Sequence, residues 1–461
     1  MSVPLWTAQE IAAATGGTAS APFAVEGVAF DSREVGPGDL FVALKGERSD
    51  GHRFVEGAFA QGAAGVIVSA PVAGPHVLVA DTEKALNALG AAARARSAAT
   101  IVGVTGSVGK TGTKEALHAA FDRAAPGTAH RSVKSYNNHV GVPLSLARMS
   151  RDAEVGVFEM GMNHAGELAS LTRLVRPNVA LVTAIAPAHS AFFAGEEAIA
   201  DAKGEIFRGL EPGGTAIVPF DSPHRDRLIA AARPHAAHVL TFGTQAGADV
   251  RALDAVRTEG GTLVNAALPG GQLTFSIGMP GAHWVANALA VLATVEAAGA
   301  DLAAAGLALA EMTGLPGRGA RVRVAVDGGT ATLIDESYNA NPGSMAATIA
   351  ELGHEPGRRI ALLGEMRELG EGSAGFHRAL AAPLAQAGVA YAVLVGEGMA
   401  ALAESLAPTT PVQHVADATA AREALRAIIR PGDAVLVKGS NAIGLARVLK
   451  AFAREDASCF I

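Results

Sequence analysis

The sequence predicts a three-domain α/β protein, and three observations support this. Its 461 residues are about three times the roughly 150 typical of one domain. From Thr100 onward, short apolar runs alternate with helical stretches, which is the signature of a parallel sheet covered by helices. After about Gly314 the rhythm starts again. Domains are therefore expected over 1–97, 98–314 and 315–461.

The elements follow in order. In the first domain, strands are expected at 25–31 and 40–44, separated by the turn Val35-Gly36-Pro37-Gly38. Residues 66–68 and 77–79 add further strands, with a helix over 54–61 between the two pairs. The alanine-rich stretch 82–99 is a helix leading out of the domain. In the second domain, the buried run 101–104 precedes a Gly-rich turn and a helix carrying Leu117 and Phe121 at i, i+4. Strands at 155–160, 179–185 and Thr215–Pro219 complete the pattern. The third domain takes strands at 331–336, 360–364, 392–396 and 434–438, with helices between them.

Hydrophobic residues at 49% and charged residues at 18% allow each domain a core and exclude wholesale disorder. No apolar run approaches the roughly 18–20 residues that span a bilayer. No basic leader followed by an apolar segment is visible at Met1, and the single cysteine, Cys459, has no internal partner. A reducing, cytoplasmic setting is expected. The net charge of −7 argues against nucleic acid but leaves room for a local cationic pocket.

Thr105-Gly106-Ser107-Val108-Gly109-Lys110-Thr111 joins the strand at 101–104 to the following helix. In that position glycines let backbone N–H groups turn toward phosphate, and the helix N-terminus adds partial positive charge. Lys110 would reach the terminal phosphates and the Thr111 hydroxyl a Mg²⁺ ion. The general Gly-x-x-x-x-Gly-Lys spacing is not met, because Val104 stands five residues before Gly109. Glu159 ends one strand, and His189 follows the next in Ala186-Pro187-Ala188-His189. Both positions suit metal ligands. The other readings are a salt-bridged carboxylate and an ordinary loop histidine. By pattern alone, Lys203 reads as a solvated helix lysine.

These segments together resemble the Mur ligase family. The phosphate loop, Ser135-Tyr136-Asn137-Asn138, Glu159-Met160-Gly161, Ala188-His189 and Lys203-Gly204-Glu205-Ile206-Phe207 occur in the family's chain order, and the loop spacing is the family's own form. The segment from Asp31 to Arg48 resembles the first domain of the tripeptide-accepting and diaminopimelate-adding members. Asp335-Glu336-Ser337-Tyr338-Asn339-Ala340-Asn341-Pro342-Gly343-Ser344-Met345 and Leu363-Gly364-Glu365-Met366-Arg367-Glu368-Leu369-Gly370 resemble the D-alanyl-D-alanine-adding branch. The Tyr-Ala-His-Thr-Pro type of segment typical of diaminopimelate-adding relatives is absent.

The resemblance implies a UDP-sugar-binding N-terminal domain, a central ATPase domain and a C-terminal Rossmann-like domain. It implies ATP-dependent joining of D-alanyl-D-alanine to UDP-N-acetylmuramoyl-tripeptide through an acyl phosphate, by a monomer, in cytoplasmic peptidoglycan precursor synthesis. Gly106, Ser107, Val108, Gly109, Lys110 and Thr111 would hold the triphosphate, with Glu159 a further ligand of the first Mg²⁺. His189 and a carbamylated Lys203 would hold a second ion. Asn287 would lie by the adenine, and Arg318 and Asp335 would approach ATP from the third domain. Ser32, Arg33 and Lys45 would contact the uridine diphosphate, with Asn138 near the nucleotide sugar. Tyr338, Asn339 and Asn341 would face the dipeptide, and Asn341 should be extended because Pro342 follows it.

For Asn287 the alternative is a helix asparagine making local bonds; for Arg33 and Lys45 it is a surface salt bridge. Asn441 stands where relatives often carry Arg and is left outside the site. The competing functions are a diaminopimelate-adding Mur enzyme, a folylpolyglutamate synthase and a GTP-dependent switch. The last reads guanine through an Asn-Lys-x-Asp segment, which this sequence lacks.

Overall fold

The computed structural model describes residues 3–46, 49–187 and 192–458. Three larger sheets follow one another in chain order, beside a two-stranded sheet formed by Trp6–Thr7 and Ala24–Val25.

The first sheet orders its strands Thr18–Ala19, His76–Leu78, Gly65–Val68, Asp39–Val42 and Gly27–Ala29. All neighbours are parallel except the antiparallel edge strand Thr18–Ala19. The expected strand over 25–31 is two pieces, because Ala24–Val25 leaves the sheet to pair with Trp6–Thr7. Asp81 caps helix Thr82–Arg96 by accepting the amides of Glu83 and Lys84, each at 3.0 Å. That helix ends three residues earlier than expected, where Ser97 turns extended. The domain docks on the short helix Gly141–Ala147. Leu144 and Ala147 join Trp6, Ile11, Leu86 and Leu89 in one apolar cluster, and the Trp6 indole donates to the Ala147 carbonyl at 2.9 Å.

The second sheet has nine strands. Ala129–Arg131, Val155–Glu159, Thr100–Thr105, Val179–Val182, Thr215–Pro219 and His238–Gly243 are mutually parallel. Val102 and Val104 point into a core shared with helices Lys110–Ala124 and Ala282–Ala297. Ile101, the residue before Val102, points into the opposite core with Phe158 and Val182. This two-sided burial is why the strand reads as an unbroken apolar run. The sheet then continues through Val250–Thr258, Gly261–Leu268 and Gly271–Ile277, the last three connected antiparallel. Sequence reasoning missed Ala129–Arg131, His238–Gly243 and these three strands. Their signal was two-faced alternation between glycine pairs at 260–261 and 270–271, a hairpin pattern rather than a buried run.

The third sheet orders Ala320–Val326, Gly329–Glu336, Ala434–Lys438, Arg359–Gly364, Tyr391–Val395 and Val412–Val415. It is parallel except for Ala320–Val326, which pairs antiparallel at the edge. Ala320–Val326 and Val412–Val415 were not foreseen; both are partly exposed edge strands. Among the described residues no helix is long and apolar enough to cross a membrane.

Candidate active site

The carboxyl ends of the central strands meet the third domain across a cleft of about 530 Å³. On one wall, residues 106–109 connect strand Thr100–Thr105 to helix Lys110–Ala124. Gly106 and Gly109 have φ of 153° and 83°, values that favour glycine. The segment after strand Val179–Val182 pins the loop. Ser107 donates its amide to the Ala184 carbonyl at 2.8 Å, and the Thr183 hydroxyl donates to the Val108 carbonyl at 2.5 Å. The Lys110 ammonium folds back to donate to the Gly106 carbonyl at 2.7 Å. Burial lowers the Lys110 pKa; the Glu159 carboxylate opposes this and the Arg318 charge adds to it. Helix Ala282–Ala297 closes the same wall. A Cβ at Gly109 would come within 2.7 Å of Asn287 Oδ1, and one at Gly112 within 2.8 Å of the Trp284 ring.

Glu159 ends the neighbouring strand and is 1% exposed. It accepts the Thr111 hydroxyl and the Asn137 amide, each at 2.8 Å, while its own amide donates to Ser132 Oγ at 3.1 Å. Ser135 lies 3.3 Å from the Thr111 hydroxyl. A buried carboxylate beside a hydroxyl and an amide oxygen is a hard-oxygen donor set, which matches Mg²⁺. Ser135 and Asn137 were missed as site residues, although they sit in the Ser135-Tyr136-Asn137-Asn138 segment the sequence singles out. Asn138, expected near the nucleotide sugar, lies one residue outside the cleft. It is exposed, and its side-chain oxygen accepts the amides of Val140 and Gly141 at the start of helix Gly141–Ala147.

Lys203 corrects its pattern-based reading. Helix Glu196–Gly204 turns it inward, leaving it 2% exposed with no hydrogen-bond or ion-pair partner among the described residues. Burial holds its pKa well below the ordinary lysine value, and the Lys110 charge pushes it further. His189 lies outside the described residues.

The opposite wall belongs to the third domain. The Arg318 guanidinium stacks 4.1 Å from the Tyr338 ring centre and donates to Ser135 Oγ at 3.4 Å, so it reaches across the cleft. Tyr338, Asn339 and Asn341 line this wall. Asn341 is extended, as Pro342 requires, with φ −145° and ψ 166°, and its side chain caps helix Pro342–Leu352 by accepting the Ser344 amide at 2.9 Å. Asp335, expected to approach the nucleotide, does not line the cleft. Its carboxylate braces the turn before Arg318 by accepting the Gly317 amide at 2.7 Å, and it accepts the Ser337 hydroxyl at 2.6 Å.

Two further cleft residues, Glu336 and Lys438, were missed. Lys438, 2% exposed, donates to the Asn339 carbonyl at 3.0 Å and lies 3.6 Å from the Glu336 carboxylate. Burial pushes the Glu336 carboxyl up and the Lys438 ammonium down, and each charge partly offsets the shift of the other. Strand ends Glu336 and Lys438 are paired in register, and that pairing was the only signal that could have linked them.

Ser32, Arg33 and Lys45 lie in the first domain and do not line this cleft. Arg33 is exposed and pairs with Asp31 at 2.5 Å, the salt bridge raised as its alternative reading. Lys45 is exposed beside Asp50. Asn441 begins a short turn outside the cleft.

Three family models match the chain. They are the Mur ligase family catalytic domain over residues 24–97, the Mur ligase middle domain over 104–295, and the Mur ligase glutamate ligase domain over 317–441. The UDP-N-acetylmuramoyl-tripeptide–D-alanyl-D-alanine ligase of Escherichia coli K12 is 35% identical, covering 95% of this chain and 96% of its own. The Bacillus subtilis 168 protein of the same name is 33% identical over 92% and 93%. A crystal structure of MurF from Acinetobacter baumannii superposes with a TM-score of 0.85 at 32% identity, covering 98% of this chain and 99% of its own. A MurF ligase from Thermotoga maritima in complex with ADP superposes with a TM-score of 0.77 at 27% identity, covering 94% and 98%.

Proposed function

This chain belongs to the Mur ligase family, and from that premise we propose that it joins D-alanyl-D-alanine to UDP-N-acetylmuramoyl-tripeptide, with ATP converted to ADP and phosphate, in peptidoglycan precursor synthesis. The observation that carries this reading is the cleft itself, where a phosphate loop faces the 338–341 segment across one shared space.

A carboxylate is a poor electrophile, so amide formation needs activation first. The terminal carboxylate of the tripeptide attacks the γ-phosphorus of ATP and ADP leaves, giving an acyl phosphate. The dipeptide amine then attacks the acyl carbon, phosphate departs with the carboxyl oxygen, and the amine's proton is released. Lys110 and the helix N-terminus behind it stabilise charge on the terminal phosphates. Arg318 adds a second cation from the third domain, so closure of that domain completes the charge set and excludes water from the acyl phosphate. Asn339 and Asn341 each use one lone pair of the side-chain oxygen on a backbone amide, at 2.9 Å. The second lone pair of each is free to accept the incoming amine's hydrogens.

Mg²⁺ fits Thr111 and Glu159, and when bound it neutralises phosphate charge. A second ion is assigned to His189 and a carbamylated Lys203. A buried lysine of lowered pKa, with no hydrogen-bond or ion-pair partner among the described residues, is a nucleophile for CO₂: the amine nitrogen bonds the carbon, one proton leaves, and a carboxylate results. The uridine diphosphate is assigned to Ser32, Arg33, Lys45 and the region of Asn138, Asn287 to the adenine side, and Asp335 to bracing the Arg318 turn. The domain junctions are assigned near residues 98 and 315, and the enzyme is read as a cytoplasmic monomer. Mass spectrometry of a reaction containing UDP-muramoyl tripeptide, ATP and D-Ala-D-Ala tests the activity. A product heavier by one dipeptide less water, with one ADP released, supports it; an unchanged tripeptide rejects it.

A further inference from the structure

Lys114 is a buried ammonium that the reaction described above does not use. It lies one helical turn beyond Lys110, and its side chain is fully buried. An ammonium in such a position is tolerated only when its three hydrogens find acceptors. Here they do. Lys114 Nζ donates to the Ser132 carbonyl at 3.0 Å and to the Lys134 carbonyl at 2.5 Å, and pairs with Glu115 at 2.8 Å. Glu115 in turn pairs with Arg131 at 2.8 Å.

Both backbone acceptors belong to the connection that leaves strand Ala129–Arg131. That connection is unusual in its own geometry, because Lys134 has a φ of 50° without being glycine. Immediately after it come Ser135, 3.3 Å from the Thr111 hydroxyl, and Asn137, whose amide donates to Glu159 at 2.8 Å. The far side of the same connection meets the first domain. Glu34 accepts the Tyr136 hydroxyl at 2.8 Å and pairs with the Lys134 ammonium. A single short segment therefore touches the phosphate-side hydroxyl, the buried carboxylate and the neighbouring domain, and Lys114 is the charge beneath it.

We propose that Lys114 is a positioning residue. Its ammonium fixes the 132–137 segment so that Ser135 and Asn137 orient Thr111 and Glu159 for the metal-bound nucleotide. The idea rests on the ligase reading for its substrate, but its test does not require turnover. Partners that orient metal ligands commonly change metal affinity or activity about 10- to 100-fold when removed.

The experiment is equilibrium calorimetry of MgADP binding to the full chain in four forms: parent, K114M, N137A and the double variant. K114M should weaken MgADP binding by about 10-fold or more. The double variant should be no weaker than the worse single variant, because Lys114 acts through Asn137. K114R, which keeps a cation under the two carbonyls, should recover part of the loss. If K114M is not recovered folded, K114Q, which retains an amide donor for one carbonyl, takes its place in the cycle. MgADP affinity within about twofold of the parent, or losses that simply add in the double variant, would overturn the assignment. Failure of the parent to ligate D-Ala-D-Ala while its MgADP binding responds as described would instead count against the ligase reading alone.

Discussion

Gly106 offers a sharp steric test of the phosphate loop. A Cβ added there would lie 1.9 Å from Thr183 Oγ1, whereas the next nearest atoms stand 3.1 Å away. Non-bonded carbon and oxygen need about 3 Å at the least, so the loop or Thr183 must yield by about 1 Å. Thr183 is not free to yield, because its hydroxyl holds the carbonyls of Thr105 at 3.2 Å and Val108 at 2.5 Å. A displacement of about 1 Å in a positioning element can cost about 100-fold in rate. Gly106→Ala should therefore lower kcat/KM for ATP by about that factor in a coupled ADP-release assay. The paired variant Gly106→Ala with Thr183→Ala removes the colliding oxygen and should recover about tenfold of the loss, less the two hydrogen bonds forfeited and the residual cost of alanine at this φ. A G106A enzyme within about threefold of its parent would refute the premise that this loop is held rigidly in its catalytic form.

Other outcomes follow from the same geometry. Lys110→Ala should reduce turnover by at least about 100-fold, read as ADP release at saturating tripeptide; near-normal turnover would remove Lys110 from the phosphate site. Lys203→Ala should be inactive and partly rescued by a short carboxylic acid, and unchanged activity would dismiss the carbamate. Asn341→Ala removes the cap of helix Pro342–Leu352 and should lower stability by about 1 kcal/mol in urea titrations. His130 is half-buried with its ring nitrogen bonded to the Ser145 carbonyl at 2.8 Å, and loss of solvation takes its pKa from 6.5 to about 4. The unfolded chain thus binds the extra proton between these values, so stability falls as pH drops from about 6.5 to about 4, by up to about 3 kcal/mol. His130→Asn should flatten that acid limb in thermal melts, and an unaltered slope would mean the ring is not neutral in the native state.

Much of the site was legible because the chemistry sits in contiguous segments. The phosphate loop, Glu159 at a strand end and Asn341 before Pro342 are local signals, and each lies where its segment predicted. What escaped were relations between segments. Glu336 and Lys438 are about a hundred residues apart and meet only through the parallel pairing of their strands. Lys203 carries an ordinary polar pattern, and only the packing of its helix reveals the burial. Asp335 and Asn138 sit in the right segments, but their side chains bond locally rather than facing the cleft, a difference of one residue that periodicity does not resolve. The antiparallel strands between 250 and 277 escaped for another reason. Their outer faces meet water, with Val256 and Leu263 exposed, so they never form the buried runs that marked the rest of the sheet.

The transfer of a phosphoryl group to the peptide carboxylate can be observed directly with ¹⁸O in the terminal carboxyl of the UDP-muramoyl tripeptide. After one turnover with ATP and D-Ala-D-Ala, the inorganic phosphate should carry one ¹⁸O atom for each ADP formed. Unlabelled phosphate alongside the extended product would contradict the acyl-phosphate route.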